Sequence, residues 1–271
     1  MIKLLIHGGI DGPKNYHYKK EERQGAINSI LEKSYKFLKH NSALDAVAYA
    51  VQMLEDNPLF NAGTGSVIQQ DGRIRMSASI MDGSRLNFAG IVNIENVKNP
   101  VAVAKLLLNL PDKVLSGLEA SQFAIKNGFA FYNPETADAF QNFIKNKGKK
   151  RLGTVGAVAL DEKGNLSAST STGGKGFTLA GRVSDSCTVA GNYASKFVAL
   201  SSTGVGEDIV NNALCAKIAC RVEDGMSLEE AGNLAIKELK ASKSYAGFIG
   251  IDSKGNFIAK AVKNYMYFGA K

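Results

Sequence analysis

Two adjacent residues, Gly153 and Thr154, suggest the clearest chemistry in this sequence. They follow a polar, basic run, Lys145–Arg151, and precede an apolar stretch typical of a buried strand. An exposed loop that enters a buried strand is a place where a peptide bond can be cut. Cutting the Gly153–Thr154 bond would give the threonine a free amine beside its hydroxyl, so that one residue would hold nucleophile and base. A preceding glycine also permits the strained backbone that an internal N-to-O acyl shift requires.

Two further threonines, Thr172 and Thr203, also lie next to a glycine, at a strand end or a turn. For any one of them alone the simpler interpretation is structural, because threonine favours strands and glycine favours turns. Arg182 and Asp185 lie in the same part of the chain. The group as a whole favours a hydrolase site built around Thr154.

Other catalytic chemistries find little support in the sequence. The run Gly173–Gly176 does not match a phosphate-binding loop, which needs Ser or Thr directly after its lysine. The three histidines, His7, His17 and His40, are not near a serine elbow, and no G-x-S-x-G motif occurs. The three cysteines predict neither a disulfide framework nor a metal site.

The pattern of apolar residues predicts the elements that would position these side chains. Helices are expected over Ala26–His40, Ser42–Leu54, a segment beginning at Pro100, Ala120–Lys126, Glu135–Lys145, Tyr193–Ser201, Glu207–Val222 and Ser227–Lys240. Strands are expected over Met1–Ile6, in a hairpin around Asp71–Gly72, over Leu86–Ile94, and in hairpins that turn at Asp161–Asn165 and Asp252–Asn256. Strands in hairpins, with helices grouped before and after them, favour an α+β layered domain.

Length and composition narrow the class of protein. A chain of 271 residues can fold as one large domain, 1–271. The net charge of +8 could indicate an anionic partner, but the basic residues are dispersed and tryptophan is absent, which disfavours nucleic-acid binding. No apolar run approaches the ~20 residues of a membrane span, and the N-terminal run is too short for a secretory signal. We therefore expect a cytoplasmic protein that contacts no membrane.

Several motifs, in order along nearly the whole chain, resemble the plant-type L-asparaginase/isoaspartyl peptidase family of N-terminal-nucleophile hydrolases. The motifs are Ile6–Gly9, Pro58–Gly63, Ser79–Gly83, Gly153–Val158, Thr170–Gly174, Gly181–Ser186 and Ser202–Glu207. The resemblance implies a four-layer αββα sandwich and a precursor that cleaves itself into an α chain, 1–153, and a β chain, 154–271. It also implies a homodimer of such αβ units and no cofactor for catalysis.

The resemblance assigns roles to single residues. Thr154 would be nucleophile and, through its new amine, general base, with Thr172 hydrogen-bonded to it and Asn61 orienting it. The Thr203 hydroxyl and the Gly204 N–H would form the oxyanion hole.

The implied substrates are L-asparagine and β-aspartyl dipeptides, in which the β-amide is the bond that is cut. Arg182 would grip the substrate α-carboxylate, because a guanidinium fork suits a planar anion. Asp185 and the Gly206 carbonyl would hold the substrate ammonium. The full implied substrate-binding set adds their neighbours: Arg182, Val183, Ser184, Asp185, Thr203, Gly204, Val205, Gly206 and Asn61.

A structural sodium ion, held mainly by backbone carbonyl oxygens, is a further implication of the resemblance. Its ligands would come from the loop at the end of the second predicted helix: Leu54, Glu55, Asn57, Phe60, Ala62 and Thr64. For Glu55, a plain helix-end carboxylate is the competing interpretation.

The sequence departs from the family pattern at a few places. Ile10 and Asp11 stand where Ala-Gly is usual, Ser77 where an acidic residue is common, and Ser184 where glycine is usual; residues 263–269 follow the usual ending only in part. These changes bear on the rate of self-cleavage and on the preferred leaving group. Two alternatives therefore stay open, an unprocessed and inactive relative and a glycosylasparaginase-like amidase, although Gly rather than Asp before the nucleophile speaks against the second.

Overall fold

A computed structural model of the chain describes residues 1–10, 19–145, 153–262 and 265–271. The strands are β1 (Lys3–Ile10), β2 (Met76–Asp82), β3 (Asn87–Ile94), β4 (Val114–Ser116), β5 (Val155–Leu160), β6 (Leu166–Thr172), β7 (Asn192–Ala194), β8 (Val198–Gly204), β9 (Ala246–Asp252), β10 (Phe257–Ala261) and β11 (Met266–Ala270). The helices are α1 (Lys20–Leu38), α2 (Ala43–Glu55), α3 (Pro100–Leu107), α4 (Gly117–Lys126), α5 (Ala137–Lys145), α6 (Gly206–Asn211), α7 (Leu214–Glu223) and α8 (Leu228–Ala241). Most of the basic run and Asp11 lie outside the described residues.

The described strands form two sheets. The larger has the order β11-β1-β5-β6-β2-β3-β4, with every neighbouring pair antiparallel except β3 and β4. The smaller has the order β10-β9-β8-β7 and is antiparallel throughout. Thr154 therefore enters a strand, β5, that lies between β1 and β6 inside the larger sheet.

Alternation along β5 shows how the sheets and helices pack. Val158 and Leu160 lie in an apolar cluster with Ile249 and Ile251 of the smaller sheet, so this face of β5 meets the other sheet. Ala157 and the other residues that point the opposite way belong to the cluster that contains α1, α2 and α3. On the smaller sheet, a third cluster joins β8 and β9 to α7 and α8. Side chains that alternate between two cores are expected of a strand buried on both faces. Mixed helices and sheets confirm the predicted α+β class.

Three predicted helix starts are confirmed. The helix predicted from Ser227 begins with a capping box, in which the Ser227 side chain accepts from the Glu230 N–H and the Glu230 carboxylate accepts from the Ser227 N–H. The Ser42 hydroxyl accepts from the Asp45 N–H at the start of α2. α3 begins with Pro100 at its first position, where the absent proline N–H would have had no partner in the helix.

Three predicted elements are wrong. Tyr193–Ser201 is not a helix: it contains the end of β7, a turn and half of β8, because pairing with β9 and burial between two cores override local periodicity. The Asp71–Gly72 turn exists, with the Gly72 N–H donating to the Gln69 carbonyl at 3.1 Å, but it joins no hairpin, because the strand that follows it, β2, pairs with β3 and β6. The helix predicted over Glu207–Val222 is two helices, broken at Ala213, whose φ of +46° ends the helical path.

Within the described residues, no helix combines the length and apolar character that a membrane span requires.

Candidate active site

The backbone around Thr154 is tightly enclosed. Thr154 is only 4% exposed, and the preceding Gly153 has a φ of +150°, which favours glycine. Gly9, at the end of β1 with φ +96°, approaches so closely that a Cβ there would lie 2.6 Å from the Gly153 Cα. A Cβ on Gly153 would in turn lie 3.2 Å from the Cβ of Asn61. The bond between Gly153 and Thr154 is thus held by β1 on one side and by the loop after α2 on the other.

The Thr154 hydroxyl meets a second threonine. Its Oγ1 donates to Thr172 Oγ1 at 3.3 Å, and Thr172 Oγ1 also accepts the Gly174 N–H at 3.0 Å. Thr172 is the last residue of β6, which pairs with β5, so the sheet register brings the two hydroxyls together.

Asn61 holds the turn that follows Thr172. Its Nδ2 donates to the Gly174 carbonyl at 2.5 Å, its Oδ1 accepts the Val67 N–H at 3.0 Å, and its backbone carbonyl accepts the Gly173 N–H at 2.9 Å. Asn61 therefore reaches the nucleophile through the Thr172–Gly174 turn.

Thr203 is the penultimate residue of β8, a strand that is buried along its whole length. It is fully buried, and its Oγ1 has no hydrogen-bond partner among the described residues. The next residue, Gly204, has a φ of +146°, and a Cβ there would lie 2.4 Å from the Tyr245 carbonyl oxygen. A buried hydroxyl left without a partner costs free energy, so it is a reasonable donor for a bound ligand. Thr154, Thr172 and Thr203 are called the threonine cluster below.

Four charged residues form a second group, called here the charged pocket: Lys175, Arg182, Asp185 and Glu207. The Glu207 carboxylate accepts hydrogen bonds from Nε and Nη2 of Arg182, each at 3.1 Å, and from Lys175 Nζ at 2.6 Å. Partial burial alone would raise the pKa of Glu207, but the hydrogen bonds from Lys175 and Arg182 lower it to about 2. Sequence reasoning had assigned no role to Lys175 or Glu207, although Glu207 closes one of the family motifs.

Asp185 is buried beside Arg182. Its Oδ1 accepts from Ser184 Oγ at 2.9 Å, and its Oδ2 accepts from Ser202 Oγ at 3.4 Å. Burial raises the pKa of Asp185 to about 6, against the lowering effect of the Ser184 hydrogen bond and of the Arg182 charge. Ser184, one of the departures from the family pattern, thus supports the carboxylate directly.

Gly206 allows Arg182 and Asp185 to converge. A Cβ on Gly206 would lie 2.7 Å from Arg182 Nη2 and 2.8 Å from Asp185 Oδ1, so any larger residue would push them apart. Val183 is half exposed, whereas Val205 caps the start of α6. The loop after β6 and the start of α6 thus bring together four of the residues expected from sequence: Arg182, Ser184, Asp185 and Gly206.

His7 is buried between the sheets, where its ring contacts a serine of β8. Its Nε2 lies 2.9 Å from Ser201 Oγ, which is itself 2.7 Å from Thr170 Oγ1. Burial lowers the pKa of His7 to about 3, so the ring is neutral near pH 7.

The loop assigned to sodium folds back on the end of α2. The carbonyls of Leu54, Glu55 and Asn57 each already accept a backbone N–H, from Asn57, Thr64 and Phe60 respectively. A carbonyl oxygen has a second lone pair, so each of these three oxygens can still bind a cation. No group of three or more His, Cys, Asp or Glu side chains that could hold a metal ion occurs in the described part of the chain.

The Glu55 side chain is buried rather than solvated. Its Oε1 accepts from Ser171 Oγ at 2.6 Å and from the Val101 N–H at 3.0 Å. Burial raises the pKa of Glu55 to about 8, although both hydrogen bonds oppose the shift. Its carboxyl is therefore neutral at pH 7 and links α2 to the strand that carries Thr172, so Glu55 differs from a plain helix-end carboxylate.

Two other departures from the family pattern lie next to these groups: Ser77 pairs with Thr172 across β2 and β6, and Ile10 follows Gly9, whose backbone approaches Gly153. Ile10 is buried at the end of β1 and pairs with Met266 of β11. Ser77 Oγ accepts the Asn93 N–H at 3.2 Å.

Comparison with known proteins identifies the family. A family model described as Asparaginase matches residues 1–150 and 138–271. The isoaspartyl peptidase/L-asparaginase of Synechocystis sp. is 41% identical, over 94% of this chain and 83% of its own length. The Homo sapiens protein of the same name is 37% identical, over 98% and 92%, and the plant-type L-asparaginase of Pyrococcus horikoshii is 37% identical, over 98% and 95%. This chain therefore belongs to the asparaginase family that the model describes.

Proposed function

We propose that this protein is a self-activating threonine hydrolase that releases L-aspartate from L-asparagine and from β-aspartyl dipeptides. The observation that carries the proposal is the 3.3 Å contact between the Thr154 and Thr172 hydroxyls. The buried Thr203 hydroxyl, which has no partner among the described residues, supports it. Relatives that are 36–41% identical over nearly the whole chain are named for the same two activities.

Activation begins with attack of Thr154 Oγ1 on the Gly153 carbonyl carbon. The peptide C–N bond breaks as the ester C–O bond forms, and the proton passes to the departing nitrogen. Water then hydrolyses the ester, which leaves a carboxylate on Gly153 and a free amine on Thr154. The φ of Gly153, which side chains other than glycine rarely adopt, and the close approach of Gly9 hold the bond in one conformation and support this step.

Activation would leave an α chain, 1–153, and a β chain, 154–271. The β5 strand of the second chain pairs with β1 of the first, and β1 also pairs with β11. Hydrogen bonding between the chains would therefore keep them together after the cut. The packing of α1–α3 on the larger sheet, and of α7 and α8 on the smaller, supports a four-layer αββα sandwich as the finer description of the fold.

Turnover then uses the new amine as the base. It takes the proton of Thr154 Oγ1, which attacks the side-chain carbonyl carbon of the substrate. The Thr203 hydroxyl and the Gly204 N–H would stabilise the resulting oxyanion, an effect of about 3–4 kcal/mol per donor in other hydrolases. The amide nitrogen leaves with a proton, and water cleaves the aspartyl ester on Thr154.

The charged pocket would bind the α-carboxylate and α-ammonium groups of the substrate. Arg182 binds the α-carboxylate, while Asp185 and the Gly206 carbonyl bind the α-ammonium. A site that holds a free amino-acid head group and presents the side-chain carbonyl to Thr154 explains why asparagine and β-aspartyl dipeptides share one pocket. A sodium ion held by the carbonyls of the Leu54–Thr64 loop would brace the loop that carries Asn61.

The test is release of L-aspartate from L-asparagine, from a β-aspartyl dipeptide and from the α-aspartyl dipeptide of the same composition. We expect turnover of the first two and none of the third, because the third presents no β-amide. Equal turnover of the two dipeptides, or no turnover of any, would contradict the proposal.

A further inference from the structure

Two cations in the charged pocket share one carboxylate oxygen. Glu207 Oε2 accepts from Lys175 Nζ at 2.6 Å and from Arg182 Nη2 at 3.1 Å. The lysine and arginine side chains are only 12% and 13% exposed, whereas the Glu207 side chain that they hold is 49% exposed. Solvent and salt screen such buried cations less than those of a surface ion pair, so their contacts with Glu207 orient its side chain.

The way Glu207 binds Arg182 determines what the guanidinium can still do. A guanidinium has two planar edges that suit a carboxylate, one through Nε and the other through its two terminal nitrogens. Glu207 occupies the edge that includes Nε. Nη2 also lies beside the Gly206 position, next to Asp185 Oδ1, so the terminal edge faces the Asp185 side of the pocket.

Lys175 is placed to hold this arrangement. It follows the Thr172–Gly174 turn directly, so it is tied in sequence to the threonine cluster, and it grips the same Glu207 oxygen that contacts Nη2. Without Lys175, the half-exposed Glu207 could rotate away or slide onto the terminal edge of Arg182, where it would compete with a ligand.

We propose that Lys175 is a positioning residue that fixes Glu207 against one edge of Arg182, so that the other edge stays aligned for the α-carboxylate of the substrate. This inference rests on the proposed function and adds a specific determinant of substrate binding. Because Lys175 acts through Glu207 and Arg182, it affects head-group binding and not the chemistry at Thr154.

The experiment compares Lys175→Met, Lys175→Arg and Glu207→Gln for L-asparagine hydrolysis. We expect Lys175→Met to raise KM about 5- to 20-fold with kcat within about twofold, in line with the loss of one charge-assisted hydrogen bond. Lys175→Arg should recover most of the loss, and Glu207→Gln should also raise KM. Lys175→Met should add little in the Glu207→Gln background, since both changes break one unit.

A matched control is Lys260→Met. Lys260 of β10 donates to Glu229 of α8 at 2.7 Å, with 22% of its side chain exposed, and neither residue belongs to the threonine cluster or the charged pocket. Its kinetics should equal those of the wild type.

An unchanged KM in Lys175→Met, with an active wild type, would overturn the inference and leave the proposed function intact. A lower KM in Glu207→Gln would also overturn it, because Glu207 would then be a competitor for Arg182. Inactivity of the wild type would instead count against the proposed function. L-Aspartate binding, measured by calorimetry, tests Lys175 independently of turnover and should weaken by the same factor.

Discussion

The threonine cluster and the charged pocket are built in opposite ways. The cluster contains only small, uncharged side chains, each set at the end or start of a strand in a sheet that other elements cover. The pocket contains four charged groups, supplied by the loop after β6 and by the first turn of α6. The reacting hydroxyls need a fixed geometry, which strands provide. Recognition of a charged substrate needs charged side chains, which loops can present to it. Changes in the cluster should therefore act on kcat, and changes in the pocket should act on KM.

The largest effect is expected for Thr154→Ala. One side chain serves both self-cleavage and turnover, so this variant should show neither. Thr154→Ser keeps the hydroxyl and should retain both at a reduced rate. Mass spectrometry and an aspartate assay measure the two steps, and recovery of cut, active Thr154→Ala would refute the assignment.

Thr203→Val should separate catalysis from stability within the cluster. Valine keeps the shape and removes the oxyanion donor, so kcat should fall about 10²- to 10³-fold with a small change in KM. The hydroxyl has no partner among the described residues, so the melting temperature should not fall. A normal kcat would remove Thr203 from the oxyanion hole.

Arg182→Lys should raise KM about 10- to 100-fold, because a point charge replaces a fork that can bind two carboxylates at once. The kcat should change much less, since Thr154 and Thr203 are untouched. Steady-state kinetics on L-asparagine measure both constants. An unchanged KM would exclude Arg182 from the substrate site.

Asp185 should produce a pH dependence of binding. Burial raises its pKa to about 6, and only the ionised form attracts the substrate ammonium. The association constant for L-aspartate, measured by calorimetry, does not depend on the chemical step; it should be level above pH 6 and fall below it as Asp185 gains a proton. A profile that stays level well below pH 6 would contradict this role, and Asp185→Asn should be weak at every pH.

The last prediction concerns stability and not kinetics. Burial raises the pKa of Glu55 from 4.5 to about 8, so the folded state binds an extra proton between these values. The stabilisation is complete below pH 4.5 and is lost as the pH rises through 8. The melting temperature should fall over this window more steeply in the wild type than in Glu55→Gln, which is neutral at every pH. Parallel curves for the two proteins would contradict the buried, neutral carboxyl.

The same contrast explains what sequence could predict. The threonine cluster could be predicted because Thr154, Thr172 and Thr203 share a local sequence pattern, a threonine at a strand end next to a glycine. The Lys175–Glu207 contact could not be predicted from the sequence. Lys175 lies in a loop and Glu207 at the start of a helix, and no sequence periodicity relates the two positions. Strands β7 and β8 were mistaken for a helix since their apolar residues face two cores at once, and only pairing with β9 determines their conformation.

Intact mass spectrometry of the freshly purified protein over several days tests the central claim most directly. We predict that the full-length mass gives way to two fragments, 1–153 and 154–271, whose sum exceeds the precursor by one water. A full-length mass that persists while the protein releases aspartate would contradict the claim that Thr154 must gain a free amine to act.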